Sequence, residues 1–379
     1  MALNSYDEWS SLKEVIVGSA DNYAQRVRDL TFDMFISDNL TGARGYYPSI
    51  RVSQDGVTDE SPERIAFRQR LADELVEDVE GMADTLRSLG ITVHRPMAPE
   101  KFDRGVSTPF WSAPVTPPLN VRDNTLILGD EIIETPPMLR ARYFETKFLA
   151  SVFQEYFLQG ARWTTMPRPV MTDNSFDPGN VATAAPNVEV PLEPQPSPYD
   201  VGLEMLIDGA NALRFGRDVI VNISNKNHAL AVDWLERHLA GRFRVHRMHK
   251  LTQSHIDSVI VALRPGLLLL RSEGVRDYLP EALRKWDVIV APTPALEDYP
   301  QYENGDPIPP SPYIDLNLLS IDESTVMVND ACKTLIRTLE DHKFTVVPVR
   351  HRHRRLFGGG FHCFTLDTVR AGGAEDYLG

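Results

Sequence analysis

The chain of 379 residues is 42% hydrophobic and 24% charged, the proportions of an ordinary globular protein, which excludes disorder over its whole length. Its 53 acidic against 39 basic residues give a formal net charge of -14, and no dense basic block lies outside 350–355, so neither nucleic acid nor an anionic membrane is an expected partner. Two cysteines cannot make a disulfide scaffold, the N-terminus carries charge where a signal peptide needs an apolar stretch, and no run approaches the roughly 18 apolar residues of a membrane helix; a soluble, cytoplasmic chain is expected.

Residues 20–60, rich in Asp, Arg, Tyr and Gly without a sustained period, read as a long excursion, either a functional lid or an insertion. The first regular elements are a helix over 62–88 and a strand, ITVHRP, at 91–96. A hairpin at 124–134, NTLILGDEIIE, then leads to a helix over 138–158 and a strand at 162–169. A second excursion, rich in Pro, Asn and Asp, occupies 170–202. The pattern of hairpin, helix and strand returns at 210–223, 227–240 and 243–248, then at 259–270, 277–285 and 286–292, and again at 318–328, 330–342 and 344–350. Turn chemistry marks each hairpin, and Val232, Leu235 and Leu239 mark the buried face of one helix.

Length alone would suggest two domains, but five closing strands imply five copies of one unit. A unit of this size cannot bury its sheet alone, so the copies should pack around a common axis. The expected fold is α/β, a five-bladed pseudosymmetric α/β propeller forming one domain over 1–379. Antiparallel hairpins in every unit argue against a doubly wound sheet.

Cys363 follows three consecutive glycines in FGGGFHCFTLD, a costly run unless backbone must approach something closely. A lone intracellular cysteine can be a buried small hydrophobe, but the glycines and the adjacent His362 favour an accessible nucleophile. Cys332, inside a helix, reads as structural. In Ser254-His255-Ile256-Asp257-Ser258, read as strand, His255 and Asp257 share a face, forming either an acid/base pair or an ordinary ion pair. Asp208 and Asp123 precede two other hairpins. Equivalent positions converge at a propeller axis, so Asp123, Asp208, His255 and Cys363 should form one cluster. Carboxylates around a thiol suit guanidinium, which presents five donors in a planar fork, and arginine is the obvious substrate. The basic run 350–355 could bind an anion, hold a metal through His351 and His353, or form a solvated or intersubunit loop.

The opening Asn4-Ser5-Tyr6-Asp7-Glu8-Trp9 with Leu12–Gly18, the segment Gly129–Pro136 and the ending GGGFHCFTLD resemble the glycine/inosamine-phosphate amidinotransferases. That resemblance implies a five-fold α/β propeller of pentein type, a cysteine nucleophile and no cofactor. It assigns Cys363 as nucleophile, His255 as general acid/base, Asp208 as its support, and Asp123 and Asp257 as the grip on guanidinium. Ser311 matches a substrate-contacting serine. The family arginine for the substrate carboxylate falls near Gly274, leaving Arg271 and Arg276 on either side. Small Ser254 leaves room for an acceptor larger than glycine.

The implied partners are small molecules, L-arginine and an amine acceptor such as glycine, lysine, an aminocyclitol phosphate or a toxin or antibiotic amine, and the expected assembly is a homodimer. The competing expectations are an arginine deiminase-like guanidine hydrolase and a non-catalytic propeller that captures arginine-like cations.

Overall fold

The computed structural model describes residues 1–21, 31, 61–97, 105–173, 204–252, 255–295, 312–354 and 358–379. Most of the two expected excursions, together with Ser254 and Ser311, lie outside these residues. The first sheet joins both ends of the chain. β1 (Leu12–Val17) runs parallel to β2 (Thr92–His94) across the helix α1 (Pro62–Ser88), and antiparallel to the last strand, β17 (Thr365–Arg370). A small ribbon, β3 (Gly105–Ser107) with β4 (Ser112–Pro114), follows.

Each remaining sheet is continuous in sequence. The second holds β5 (Thr125–Leu128), β6 (Glu131–Glu134), α2 (Ala150–Leu158) and β7 (Arg162–Thr165). The third holds β8 (Ala212–Phe215), β9 (Asp218–Ile223), α3 (Lys226–Leu239) and β10 (Arg244–His249). The fourth is β11 (Ile260–Arg264), β12 (Leu267–Leu270), α4 (Glu281–Arg284) and β13 (Asp287–Val290). The fifth is β14 (Leu319–Asp322), β15 (Thr325–Asn329), α5 (Lys333–Asp341) and β16 (Thr345–Val349). In all four the first two strands are antiparallel and the third, reached over the helix, runs parallel to the second, because only a crossover can return the chain in the same direction.

Two helices are shorter than the sequence pattern suggests. Over 138–158 only α2 is α-helical, preceded by 3-10 turns at Arg140–Arg142 and Glu145–Leu149, where Arg142 and Glu145 are drawn into a buried ion pair. Over 277–285, Pro280 cannot donate to a preceding turn and holds Leu279 extended, so a 3-10 turn at Glu273–Tyr278 stops and α4 starts afresh.

Contacts run from sheet to sheet in a ring: β17 touches β5, β5 the turn at 209–211, β8 the turn at 256–258, that turn the one at 312–316, and β14 touches β1. Apolar faces fill the spaces between sheets. Val232, Leu235 and Leu239 of α3 pack with Leu126, Leu128 and Ile133 from the second sheet and Val219, Val221 and Ile223 from the third. Each such leucine, fully buried, stabilises the fold by roughly 2 kcal/mol. Among the described residues no helix is long and apolar enough to cross a membrane.

The basic run is not a solvated loop. Leu71, Leu75, Val79, Met82 and Leu86 turn one face of α1 into the core, leaving an acidic row on another. Asp78 of that row accepts from Arg350 Nε at 3.1 Å and from the Arg352 backbone N–H at 2.7 Å, Glu77 accepts from Arg352 at 2.7 Å, and Glu74 meets His353. Buried His351 holds its Nε2 3.2 Å from the Gly359 carbonyl, so the run braces the glycine loop from behind.

Candidate active site

The starts of the hairpins meet where these sheets adjoin. Asp123, in the turn before β5, is held by Arg142, whose Nη1 donates to Oδ2 at 2.6 Å while its remaining fork grips Glu145 at 2.5 and 2.7 Å. Burial opposes the Arg142 charge, but Glu145 and Asp123 outweigh it and hold the guanidinium well above its ordinary range. Asp208 is extended, at the head of the 209–211 turn, and the Gly209 N–H donates to the Asp123 carbonyl. A side chain on Gly209 would stand 2.7 Å from the carbonyl oxygens of Arg122 and Thr125; glycine is what lets these two hairpin starts touch.

His255 heads a 3-10 turn at 256–258, not a strand as expected. The turn is closed by Ser258, whose N–H and hydroxyl both donate to the His255 carbonyl, at 3.2 and 2.7 Å, and β11 begins only at Ile260. The ring is therefore not paired with Asp257. Its Nε2 lies 3.0 Å from Asp208 Oδ2, and its Nδ1 3.6 Å from Asp123 Oδ1. Burial disfavours the charged ring, but the charge of Asp123 and the hydrogen bond and charge of Asp208 override it, raising the His255 pKa to about 9. Burial likewise pushes against ionised Asp208, and its bond to His255 more than offsets it, leaving the carboxyl below its usual range.

Cys363 lies in the turn before β17, with Asn317 Oδ1 accepting from its N–H at 2.8 Å and from the Gly360 N–H at 3.0 Å. The glycines are required here: a side chain on Gly360 would come 2.6 Å from the Asn317 carbonyl oxygen, one on Gly359 within 2.8 Å of Asn120, and Gly358 has φ +63°. Sγ lies 3.3 Å from Asp257 Oδ2. A ligand atom each of Cys363, His255 and Asp123 falls within 4.8 Å of the others. Burial pushes the thiol pKa well up, and the charges of Asp257 and Asp123 push it further. Asp257 is itself disfavoured as an anion by burial, but His362 and His255 hold it below the usual carboxylate range.

Two oxygens in this cluster, Asp123 Oδ1 and Asp257 Oδ1, are buried without a hydrogen-bond partner among the described residues. Such atoms are costly unless something fills them, and a planar cation with N–H donors on its edges fits that need. Of the two candidate arginines, Arg276 is occupied in its own corner, 3.4 Å from Glu273 and 3.4 Å from the Arg284 carbonyl. Half-buried Arg271 is tied to the turn after His255 through its N–H to the Val259 carbonyl, and burial lowers its pKa, with Tyr313 its counterweight. Arg142, Glu145, Asn317 and Glu8 were not foreseen. Glu8 lies within the opening segment that carries the family resemblance; the others carry no local signal.

A buried thiol, an imidazole held charged and two unfilled carboxylate oxygens around one point are a setting that suits a small planar cation. No family model matches the chain. Among curated proteins it is 34% identical over 367 residues to inosamine-phosphate amidinotransferase 1 of Streptomyces griseus, covering 96% of each chain. It is 31% identical to the L-arginine:L-lysine amidinotransferase of Pseudomonas savastanoi pv. phaseolicola, over 99% of this chain and 96% of that one. Among solved structures, SxtG, an amidinotransferase from Microseira wollei in the saxitoxin biosynthetic pathway, superposes with a TM-score of 0.76 at 30% identity over 99% of both chains. The protein is an enzyme of the transferase class, and it belongs to the glycine/inosamine-phosphate amidinotransferase family.

Proposed function

We propose that this enzyme moves the amidino group of L-arginine to an amine through an S-amidino adduct on Cys363, releasing ornithine. The observation that carries this reading is the convergence of the Cys363 thiol, the His255 ring and Asp123 within 4.8 Å, beside two unfilled carboxylate oxygens. Asp123 and Asp257 would take the edges of the guanidinium and hold its central carbon against Sγ. The carboxylates that keep the free thiol protonated are the ones this cation neutralises, so substrate binding itself favours the thiolate.

In this mechanism Sγ bonds to the guanidinium carbon and the C–N bond to ornithine breaks as His255, protonated, gives its proton to the departing amine. The adduct keeps the positive charge, and His255 is left neutral. An amine acceptor then attacks the same carbon, loses a proton to His255, and the C–S bond breaks. Asp208 holds the ring in place for both transfers.

We assign Arg271, rather than Arg276, to the arginine carboxylate, because its guanidinium has no ion-pair partner among the described residues and its chain is tied to the His255 turn. Arg271→Ala should raise the KM for arginine about 10- to 100-fold with kcat changed less, the cost of a lost charged hydrogen bond, whereas Arg276→Ala should leave KM alone. Equal effects in initial-rate assays of the two variants would remove this assignment.

The relatives' names carry inosamine phosphate, lysine and a saxitoxin-pathway step, which supports an amine of specialised metabolism, larger than glycine, as acceptor. Two free cysteines fit a reducing cytoplasm. The ring of contacts supports one domain, and we carry a homodimer as part of the reading, checked by light scattering. With arginine alone, ornithine should stop at one equivalent per site and resume when a suitable amine from a panel is added. Steady citrulline formation instead would make the enzyme a hydrolase.

A further inference from the structure

Asp257 can grip a guanidinium only as an anion, and its surroundings work against that. The side chain is buried, its Oδ2 lies 3.3 Å from the Cys363 thiol, and its Oδ1 has no hydrogen-bond partner among the described residues. A carboxyl so placed takes up a proton unless positive charge stands beside it. The groups that face it are Cys363, Asn317, His255 and His362. His255 is engaged by Asp208 and Asp123, and in the transfer mechanism it gives up its proton to the departing amine. A counter-charge that outlasts that step has to come from His362.

His362 is built for the task. Its Nδ1 lies 2.8 Å from Asp257 Oδ2 and its Nε2 3.2 Å from Glu8 Oε2, and all three side chains are buried. Burial opposes both acids as anions, but His362 holds Asp257 below the usual carboxylate range, and Arg214 with His362 holds Glu8 well below it. Ionised carboxylates only accept, so a ring nitrogen facing each of them donates, and a ring that donates from both nitrogens is an imidazolium. The far side is anchored: Arg214 grips both oxygens of Glu8, at 2.8 and 2.7 Å, and reaches Asp367 at 2.8 Å, while Arg122 holds the other Asp367 oxygen at 2.6 Å. The His362 backbone is pinned too, its carbonyl accepting from Arg122 Nε at 2.8 Å and its N–H donating to the Asn317 carbonyl at 3.2 Å.

Resting on the transfer reading, we propose that His362 is a positioning residue for arginine recognition: an imidazolium clamped by Glu8, it occupies Asp257 Oδ2 and keeps that carboxylate an anion with Oδ1 left for the guanidinium. It touches neither sulfur nor substrate and moves no proton. Without its charge, Asp257 would hold a proton up to a higher pH. The grip on arginine would then be lost as pH falls through that raised value and restored above it.

The test is calorimetry of arginine binding to full-length Cys363→Ala, which forms no adduct, with and without His362→Asn. The asparagine amide can stand where Nδ1–H stood, so the substitution keeps a donor and removes the charge. Between about pH 8 and about pH 6, Cys363→Ala should bind arginine with little change, whereas the double variant should bind about 10- to 100-fold more weakly at the acid end, the gap closing towards the alkaline end. No gap, or one equal at every pH, overturns the proposal, since a merely structural role would not follow the ionisation of Asp257. Should His362→Asn fail to fold, Cys363→Ala alone decides: a level profile supports an Asp257 held ionised, and an affinity that falls towards the acid end overturns it. If Cys363→Ala binds no arginine at any pH, the guanidinium grip itself falls, and the transfer reading with it.

Discussion

Cys363→Ala should abolish turnover, with kcat lower by at least about 10,000-fold and no mass added to the residue 363 peptide after incubation with arginine. The size follows from what the sulfur does. Without it the amidino group has no covalent resting place, and ornithine cannot leave before the acceptor arrives. Cys363 also packs with Phe361 and Phe364 in the cluster beneath the first sheet, so alanine removes little apolar volume. The melting temperature should stay near wild type, which separates a chemical loss from a folding loss. Arginine should still bind, because Asp123 and Asp257 remain. If the variant turned over normally, the nucleophile reading would be wrong.

Free Cys363 should also react slowly with a neutral alkylating agent near pH 7. Burial and two carboxylates keep it a thiol, and an amidine-bearing alkylator should react faster because it brings its own positive charge.

The repeat was legible because its signals are local. A turn between two apolar runs, an amphipathic helix and a short closing strand each lie within a few residues, and all five closing strands form where expected. The antiparallel pair of the first sheet was not legible, because it is made by Leu12–Val17 and Thr365–Arg370, with Leu12 opposite Arg370. No windowed pattern joins segments so far apart. The convergence of Asp123, Asp208, His255 and Cys363 was legible for a related reason: each precedes a hairpin, and the repeat carries position into space.

The partners of those four were less visible. His255 and Asp257 were read as a strand pair from a two-residue spacing, but Asp-Ser closes a 3-10 turn there, and the ring turns to Asp208 from another sheet. The basic run looked like a surface feature because its partners Glu74, Glu77 and Asp78 are separated from it by most of the chain. Buried arginines such as Arg142 show the same limit, since charge in a sequence reads as surface until its counter-charge is located.

His255→Asn should slow both half-reactions by about 100- to 10,000-fold, the range for a lost general acid and base, while leaving arginine affinity nearly intact. Ornithine release needs the charged ring, so its single-turnover rate in the wild type should fall as pH rises through about 9, and the fall should be missing from the variant. The same shift is a stability statement. The folded-state pKa lies above the ordinary value of 6.5, so the charged ring stabilises the native state fully below that value and loses this contribution as pH rises through about 9. The variant should therefore be less stable than wild type near neutral pH, and the gap in urea midpoints should close in alkaline solution. A gap that widens with pH would mean that the ring is buried neutral, and Asp123 and Asp208 could not then be holding a proton ready for the departing amine.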